Sequence, residues 1–401
     1  MQWLLILLLI SLPLGHLARF ELGNGVALYP QDLIAGAMLL WSFVSRLRGR
    51  SLRPELLKPV LLFTVSALLS LIFAAASHPP TQLLVGKLYL LRWFAYAGIY
   101  FFALDFRSSR KKITILNRQY AIRETLLLSG LALTVFGLAQ YLIAPDLTQL
   151  KWLGWDDHFY RLVGTLLDPG FTGVMLILTL FLGLEVKLGK WTKVLAVGLP
   201  LASLPLTYSR ASYLALLASG LVYLLAKKKA KIALGVGGIF LLALPLLPRP
   251  GGEGVHLTRL YSITSRLESW RNALTIASDH PVFGVGFNLL RYAQKDCGWL
   301  DEDWQTSHAG AGIENSYFFV LATTGIIGLA AYLNLLLRMF LMGKQALGSG
   351  NRTHPGLFAS LTAVSVSALF NNTWFYPWIM AWIWLLLADE EAGWKILKAR
   401  N

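Results

Sequence analysis

The chain has 401 residues, of which 56% are hydrophobic and only 14% charged, and its net charge is +15. A soluble domain of this length needs far more charged surface, so the composition excludes an ordinary water-soluble globule. A surplus of cations on a soluble protein points to nucleic acid; here the surplus sits in short loops between apolar runs, and no nucleic-acid partner is read from it.

Apolar runs of about 15–22 residues recur from end to end, so most of the chain is solvated by lipid. The runs predict membrane helices near 3–18, 26–45, 57–76, 83–104, 121–143, 168–186, 191–207, 211–226, 231–248, 315–337, 356–371 and 374–388. The first run, from Trp3 to Leu14, has the length of a signal-peptide core. It lacks a basic side chain before it and a clear small-x-small site after it, so it is read as the first helix. Only residues 206–210 separate helices seven and eight. A tight turn is expected there, because one continuous helix of about 35 residues would overshoot the bilayer.

Lysine and arginine give the orientation. Arg46, Arg48, Arg50, Arg53 and Lys58 follow helix two, and Arg107, Arg110, Lys111, Lys112 and Arg118 follow helix four. Lys187, Lys190 and Lys193 follow helix six, and Lys227, Lys228, Lys229 and Lys231 follow helix eight. Arg338, Lys344 and Arg352 follow helix ten, and Lys395, Lys398 and Arg400 close the chain. Every even-numbered exit is basic. The expectation is an all-α polytopic membrane protein with about twelve transmembrane helices, both termini cytoplasmic, and a large extracytoplasmic loop between helices nine and ten. It divides into helices one to nine (1–248), the loop (249–314), and helices ten to twelve with a cytoplasmic tail (315–401). Within the loop, Leu267, Trp270, Leu274 and Ala277 recur at helical spacing from Leu260 to Ile276, which predicts an amphipathic helix lying on the membrane or over an outward-opening site.

Arginine outside the basic inner loops is the informative feature, since a guanidinium near lipid needs an anion or a watery cavity. Arg210 lies in the seven–eight turn, within Thr207-Tyr208-Ser209-Arg210-Ala211-Ser212; it either snorkels to headgroups or clamps a phosphate. Arg266 and Arg271 lie on the loop helix, and Lys87 and Arg92 interrupt helix four, either to pair with a carboxylate or to add positive field to the same outer cavity. Arg161 precedes Gly164-Thr165 and Asp168-Pro169, a helix start whose amino end is also a good anion site. Downstream, His308 and Glu314 are candidate general bases at the mouth of helix ten; Glu314 equally suits the helix dipole and Asn315 a cap. Trp299, Trp304, Tyr317 and Trp374 read first as an interfacial aromatic belt and second as stacking surfaces for sugars. Cys297 is the only cysteine, no His and carboxylate spacing suits a metal, and no phosphate-loop pattern occurs, so no cofactor is expected.

In their order, these stretches resemble the O-antigen ligase and polymerase superfamily of bacterial envelope glycosyltransferases. The pieces are Arg161-x-x-Gly164-Thr165 with Asp168-Pro169, then Ser209-Arg210-Ala211-Ser212, then Arg266 with Trp270, Pro281 and Gly284-Val285-Gly286, and last Glu314-Asn315-Ser316-Tyr317 with Gly325-Ile326-Ile327-Gly328. The resemblance covers roughly residues 120–340. It implies a GT-C-like membrane enzyme, metal-independent and inverting, that moves a glycan from undecaprenyl diphosphate to an acceptor hydroxyl on the outer face of the cytoplasmic membrane. The acceptor is a lipid or a glycan, as in ligation to lipid A-core. Polymerisation of repeat units and transfer to protein stay open, and a twelve-helix transporter or flippase is the reading from another class. The family's diphosphate-binding arginines match Arg210 and Arg266. Its catalytic histidine usually stands directly before Asn-Ser-Tyr, where this chain has Glu314, with His308 six residues earlier.

Overall fold

Lipid offers no water to backbone groups, so a chain this apolar must close its hydrogen bonds locally. In the computed structural model, which describes residues 1–23, 26–49, 53–109, 112–115, 117–248, 250–300, 304, 312–348 and 355–398, helix accounts for 75% and sheet for almost nothing. The protein is all-α. Its helices are α1 (Gln2–Ser11), α2 (Pro30–Leu47), α3 (Leu57–Ala74), α4 (Pro80–Ser108), α5 (Ile122–Ile143), α6 (Pro169–Glu185) and α7 (Lys190–Ser203). There follow α8 (Arg210–Ala226), α9 (Ala230–Ala243), α10 (Tyr261–Asp279), α11 (Leu290–Asp296), α12 (Ser316–Gly348), α13 (Gly356–Ser367) and α14 (Pro377–Lys398).

A helix falls on every apolar segment picked out by hydropathy, and α10 and α11 fall between residues 249 and 314. Among the described residues, three helices (α3, α5 and α12) are long and apolar enough by themselves to cross a membrane. Others are shorter: the 12 residues of α13 rise about 18 Å against a hydrocarbon layer of about 30 Å. Side chains such as Leu40, Phe43, Ile72, Ile143 and Leu242 stand exposed around the helices, a surface that only lipid tolerates, and the protein is an integral membrane protein.

Several helix ends differ from the hydropathy boundaries, and prolines and caps explain them. Residues expected to open helix two form a strand instead, Val26–Leu28, paired antiparallel with Phe20–Gly23. The helix begins at Pro30, after an extended Tyr29 whose backbone N–H donates to Asp32 Oδ2 at 2.9 Å. Proline at the first helical position also starts α4 and α14. Helix one gives way after Ser11 to a 3-10 turn over Leu12–Ala18, interrupted at Gly15.

α14 is the central pillar. Every residue from 378 to 389 is buried, with Trp378 and Trp382 fully enclosed, as expected of a helix apolar all round. One end of the bundle is tied by ion pairs. Arg123 meets Asp389 at 2.7 Å and also contacts Glu390, and Arg107 meets Asp389 at 2.8 Å. Lys395 reaches the Arg53 carbonyl at 2.5 Å. The basic stretches after α2 and α4 and the end of α14 thus share one end, while the amino ends of α6, α8, α12 and α14 point to the other.

α12 is broken. Gly325 adopts φ +65°, and the loop segment before α11 docks onto the break. Val285 N–H donates to Ala322 O and Gly286 N–H to Thr323 O, both at 3.0 Å, and Ile326 N–H donates to Pro281 O at 2.9 Å. The loop thereby satisfies the backbone groups that the break frees. A Cβ on Gly325 would lie 2.1 Å from Val282 O, and one on Gly284 2.4 Å from the Thr323 carbonyl carbon, so both positions need glycine.

Candidate functional site: a guanidinium cluster beside Glu314

The expected tight turn joins α7 to α8. A 3-10 turn over Pro205–Thr207 leads to Tyr208 in the left-handed region (φ +49°). Ser209 then caps α8, accepting from Ser212 N–H at 3.3 Å. Ser212 Oγ donates in turn to Gly170 O at 3.2 Å, which pins the turn to the start of α6. That start is capped by Asp168, whose Oδ1 accepts from Phe171 N–H at 2.7 Å ahead of Pro169. The serines of the motif build the turn, and Arg210 is the side chain the turn presents.

Arg210 Nη1 donates to the carbonyls of Leu257 and Arg259, each at 3.0 Å. Arg259 donates to Gly254 O at 2.7 Å and His256 O at 2.9 Å, and its Nη2 reaches Tyr208 O at 3.3 Å. Arg161 donates to Thr207 O at 3.1 Å and to the same Tyr208 O at 3.4 Å. Three guanidiniums therefore crowd one turn. Burial, with Arg210 and Arg266 adding repulsion, pushes Arg259 down to about 10. Burial and the charge on Arg259 push Arg161 down to about 10 as well. Such mutual repulsion favours an anion among them. Arg259 escapes motif reading, although it carries the same signal as Arg210: an arginine outside the basic loops.

Arg266, on α10, links this cluster to the carboxylate. Its Nε lies 2.8 Å from Glu314 Oε2 and also donates to Phe370 O at 3.1 Å. One turn on, Trp270 Nε1 donates to the Glu314 carbonyl at 3.3 Å. Behind Glu314, Asn315 Oδ1 caps α12, accepting from Tyr317 N–H at 2.9 Å and Phe318 N–H at 3.0 Å. Ser316 N–H donates to Ala368 O at 2.9 Å. The Asn-Ser-Tyr run is thus a mount that fixes Glu314, whose own side chain stays 48% exposed and open to a ligand. Burial of the carboxyl within the surrounding protein raises its pKa, Arg266 opposes this, and Asp168 and Asp156 add to it.

Beside Glu314 and Asp168 opens a cavity of about 360 Å³, lined also by Arg92, Arg19, Tyr29, His16, Trp155 and Tyr376. Arg92 takes the carboxylate-pairing role: its Nη2 lies 2.8 Å from Asp32 Oδ2 and contacts Ala27 O. Lys87 is not brought to the cluster; it is exposed on α4 and does not line the cavity. His308 lies outside the described residues. His158, a histidine the motifs did not single out, is buried and pushed down to about 3, by desolvation first and Arg161 second, which keeps it neutral. The aromatic expectation needs correction. Trp304 and Trp374 are buried, Trp299 is exposed, Tyr317 donates to Ser365 O at 3.1 Å, and none of the four lines the cavity, whose aromatic walls draw on Tyr29, Tyr89, Trp155, Phe171, Phe319 and Tyr376.

Fold and site together define an integral membrane protein with guanidiniums gathered around a carboxylate at one end of its helices. Residues 195–333 match the family model described as O-antigen ligase, which supports assignment to the O-antigen ligase superfamily. The matched stretch takes in Arg210, Arg259, Arg266 and Glu314, while Arg161 and Asp168 precede it. A search of curated proteins found no match to this chain.

Proposed function

We propose that the protein is a membrane glycosyltransferase that moves a glycan from undecaprenyl diphosphate to an acceptor hydroxyl at the outer face of the cytoplasmic membrane. In this reading the twelve apolar segments all traverse the bilayer, the ion-paired, lysine-rich end is cytoplasmic, and the arginine end faces out. The observation that carries it is the crowding of Arg161, Arg210 and Arg259 at one turn, with Arg266 close to Arg210 and Arg259 and paired to Glu314.

A lipid-linked diphosphate is a charged leaving group tethered in the membrane. As the acceptor oxygen bonds to the anomeric carbon, the bond from that carbon to the diphosphate oxygen breaks, and the electron pair leaves with the diphosphate. Guanidiniums placed for that charge stabilise it; one well-aimed donor contributes about 2.7–4 kcal/mol in comparable anion holes. Glu314 takes the hydroxyl proton, a contribution of about 10²–10⁴-fold. The attack comes opposite the leaving group and inverts the anomeric centre. Arg266 links the two halves. In the structure it holds the Glu314 carboxylate, which keeps the base weaker. When the diphosphate arrives it competes for Arg266, and Glu314 becomes more basic as the donor is bound. Ligation, polymerisation and transfer to protein share these steps.

Purified protein in lipid nanodiscs, supplied with glycan-bearing undecaprenyl diphosphate and candidate acceptors, tests the reading. Release of free undecaprenyl diphosphate by the wild type, and its loss in Arg210→Ala at equal protein level, is the expected result. Normal turnover by Arg210→Ala rejects it.

A further inference from the structure

The cavity beside Glu314 has features that neither the diphosphate nor the proton transfer uses. His16 sits between two tyrosine hydroxyls: Nδ1 to Tyr29 Oη at 2.9 Å and Nε2 to Tyr376 Oη at 3.0 Å. Tyr376 Oη donates its proton to Leu166 O at 3.3 Å, so its oxygen accepts from Nε2–H. His16 is therefore the Nε2–H tautomer, and Nδ1 accepts from Tyr29 O–H. Both ring nitrogens are engaged, and the three rings are locked as one wall. Trp155 extends the wall with its ring centroid 4.5 Å from that of His16, and Phe171 stacks on Tyr376 at 3.8 Å.

Opposite chemistry completes the cavity. Asn288 Nδ2 and Asn372 Oδ1 are buried without hydrogen-bond partners among the described residues, and both residues line the cavity. Asn288 is held at φ +61°, a left-handed conformation that asparagine tolerates better than most side-chain-bearing residues. A buried donor and a buried acceptor left open are each costly unless water or a ligand meets them. Of the wall's charges, Arg19 pairs with Glu21 at 3.2 Å, and Arg92 with Asp32 and Glu314 with Arg266, both at 2.8 Å; Asp156, Asp168 and Arg291 also line the cavity, so guanidiniums and carboxylates are mixed there. A lining of mixed sign favours neither a phosphate nor a lipid ammonium. Rigid aromatic faces with separate amide donor and acceptor suit a neutral polar ring, and the volume falls in the range of about 300–1,000 Å³ usual for small-ligand sites.

We propose that this cavity is a sugar subsite for a neutral pyranose of the acceptor, resting on Trp155, Tyr29 and Tyr376 and read by Asn288 and Asn372. The choice of acceptor over donor rests on the diphosphate reading above. Glu314 and Asp168 line the cavity whereas the four clustered arginines do not. An in-line displacement puts the attacking hydroxyl on the side of the anomeric carbon away from the diphosphate, and Glu314 stands between the two.

Saturation-transfer NMR with the methyl glycosides of glucose, galactose, mannose and N-acetylglucosamine tests this on the full-length protein in nanodiscs. At least one glycoside gives signal with the wild type and with Trp152→Ala, a tryptophan 79% exposed outside the cavity. The affinity falls about tenfold in both Trp155→Ala and Asn372→Ala, the size expected for one lost contact of about 1.4 kcal/mol, with melting temperatures confirming that each variant is folded. Saturating bare undecaprenyl diphosphate leaves the signal in place. No signal from any of the four, or unchanged signal in both variants, overturns the subsite. Displacement by bare carrier assigns the cavity to the diphosphate, and displacement only by carrier bearing N-acetylglucosamine assigns it to the donor sugar; either overturns the acceptor assignment. Failure of bare carrier to bind the wild type at all, with the glycoside signal intact, instead sinks the diphosphate reading on which the acceptor assignment rests.

Discussion

Arg266 Nε and Glu314 Oε2 lie 2.8 Å apart, joining a helix of the 249–314 segment to the mouth of α12. The pair couples the positive charge offered to a leaving group with the carboxylate offered to a nucleophile. Removing either partner therefore has two effects that kinetics can separate.

Glu314→Gln keeps the size of the side chain and removes the base. Turnover falls about 10²–10⁴-fold while donor affinity does not fall, because Arg266 loses the carboxylate that competes with the diphosphate. Radiolabelled donor binding alongside single-turnover assays measures both quantities. Equal loss in binding and turnover means that Glu314 holds substrate and does not move a proton.

The pH profile carries a sign. Glu314 works as the carboxylate, and its pKa is raised above the ordinary 4.5 by burial, with Arg266 opposing. Activity is therefore lost on acidification at a higher pH than an ordinary carboxylate gives. Arg266→Gln removes the opposing charge, so the acid limb moves further up while the maximal rate also falls, by about 10²–10³-fold if its donor acts on the leaving group. An acid limb that stays put in Arg266→Gln contradicts the coupling.

Arg259 and Arg161 are each pushed down to about 10, by burial first and neighbouring guanidiniums second. Because kcat/KM reports the free enzyme, it declines as pH rises through about 10, far below an ordinary arginine. Arg259→Ala weakens donor binding and removes the repulsion on Arg161 while leaving its burial, so the alkaline limb shifts part of the way to higher pH. A profile flat to pH 11 argues against the crowding.

Gly325→Ala places a methyl 2.1 Å from Val282 O at a positive φ. The strain costs on the order of 1–3 kcal/mol before the clash is relieved, and the loop must leave the break in α12. A lowered melting temperature with poor recovery of folded protein is expected, and a wild-type melting curve would show that the docking is dispensable.

EDTA is expected to leave turnover unchanged, because this account assigns neutralisation of the leaving group to guanidiniums. Inhibition by EDTA that added divalent ion reverses would contradict it.

Much of this arrangement was legible beforehand. Apolar runs marked where helices form, residues 206–210 marked the tight turn between helices seven and eight, and Asp168-Pro169 marked a helix start that the structure contains, because caps and prolines act locally. Arg92 was visible as a cation out of place, but Asp32 is its partner across 60 positions and no local pattern announces it. The cavity wall was hidden for the same reason. His16, Tyr29, Trp155 and Tyr376 come from four separate segments, each unremarkable alone and joined only by packing. The break in α12 at Gly325 falls inside the helix expected over 315–337, and nothing local revealed it, because the docked loop that meets it does so through backbone bonds that leave no trace in side-chain pattern.

The most direct test is a structure of the protein with undecaprenyl diphosphate bound. The account predicts the diphosphate within hydrogen-bond reach of both Arg210 and Arg266, with Glu314 released from Arg266 and facing the cavity. A diphosphate seated away from these two guanidiniums, with the Arg266–Glu314 pair still closed, would contradict it.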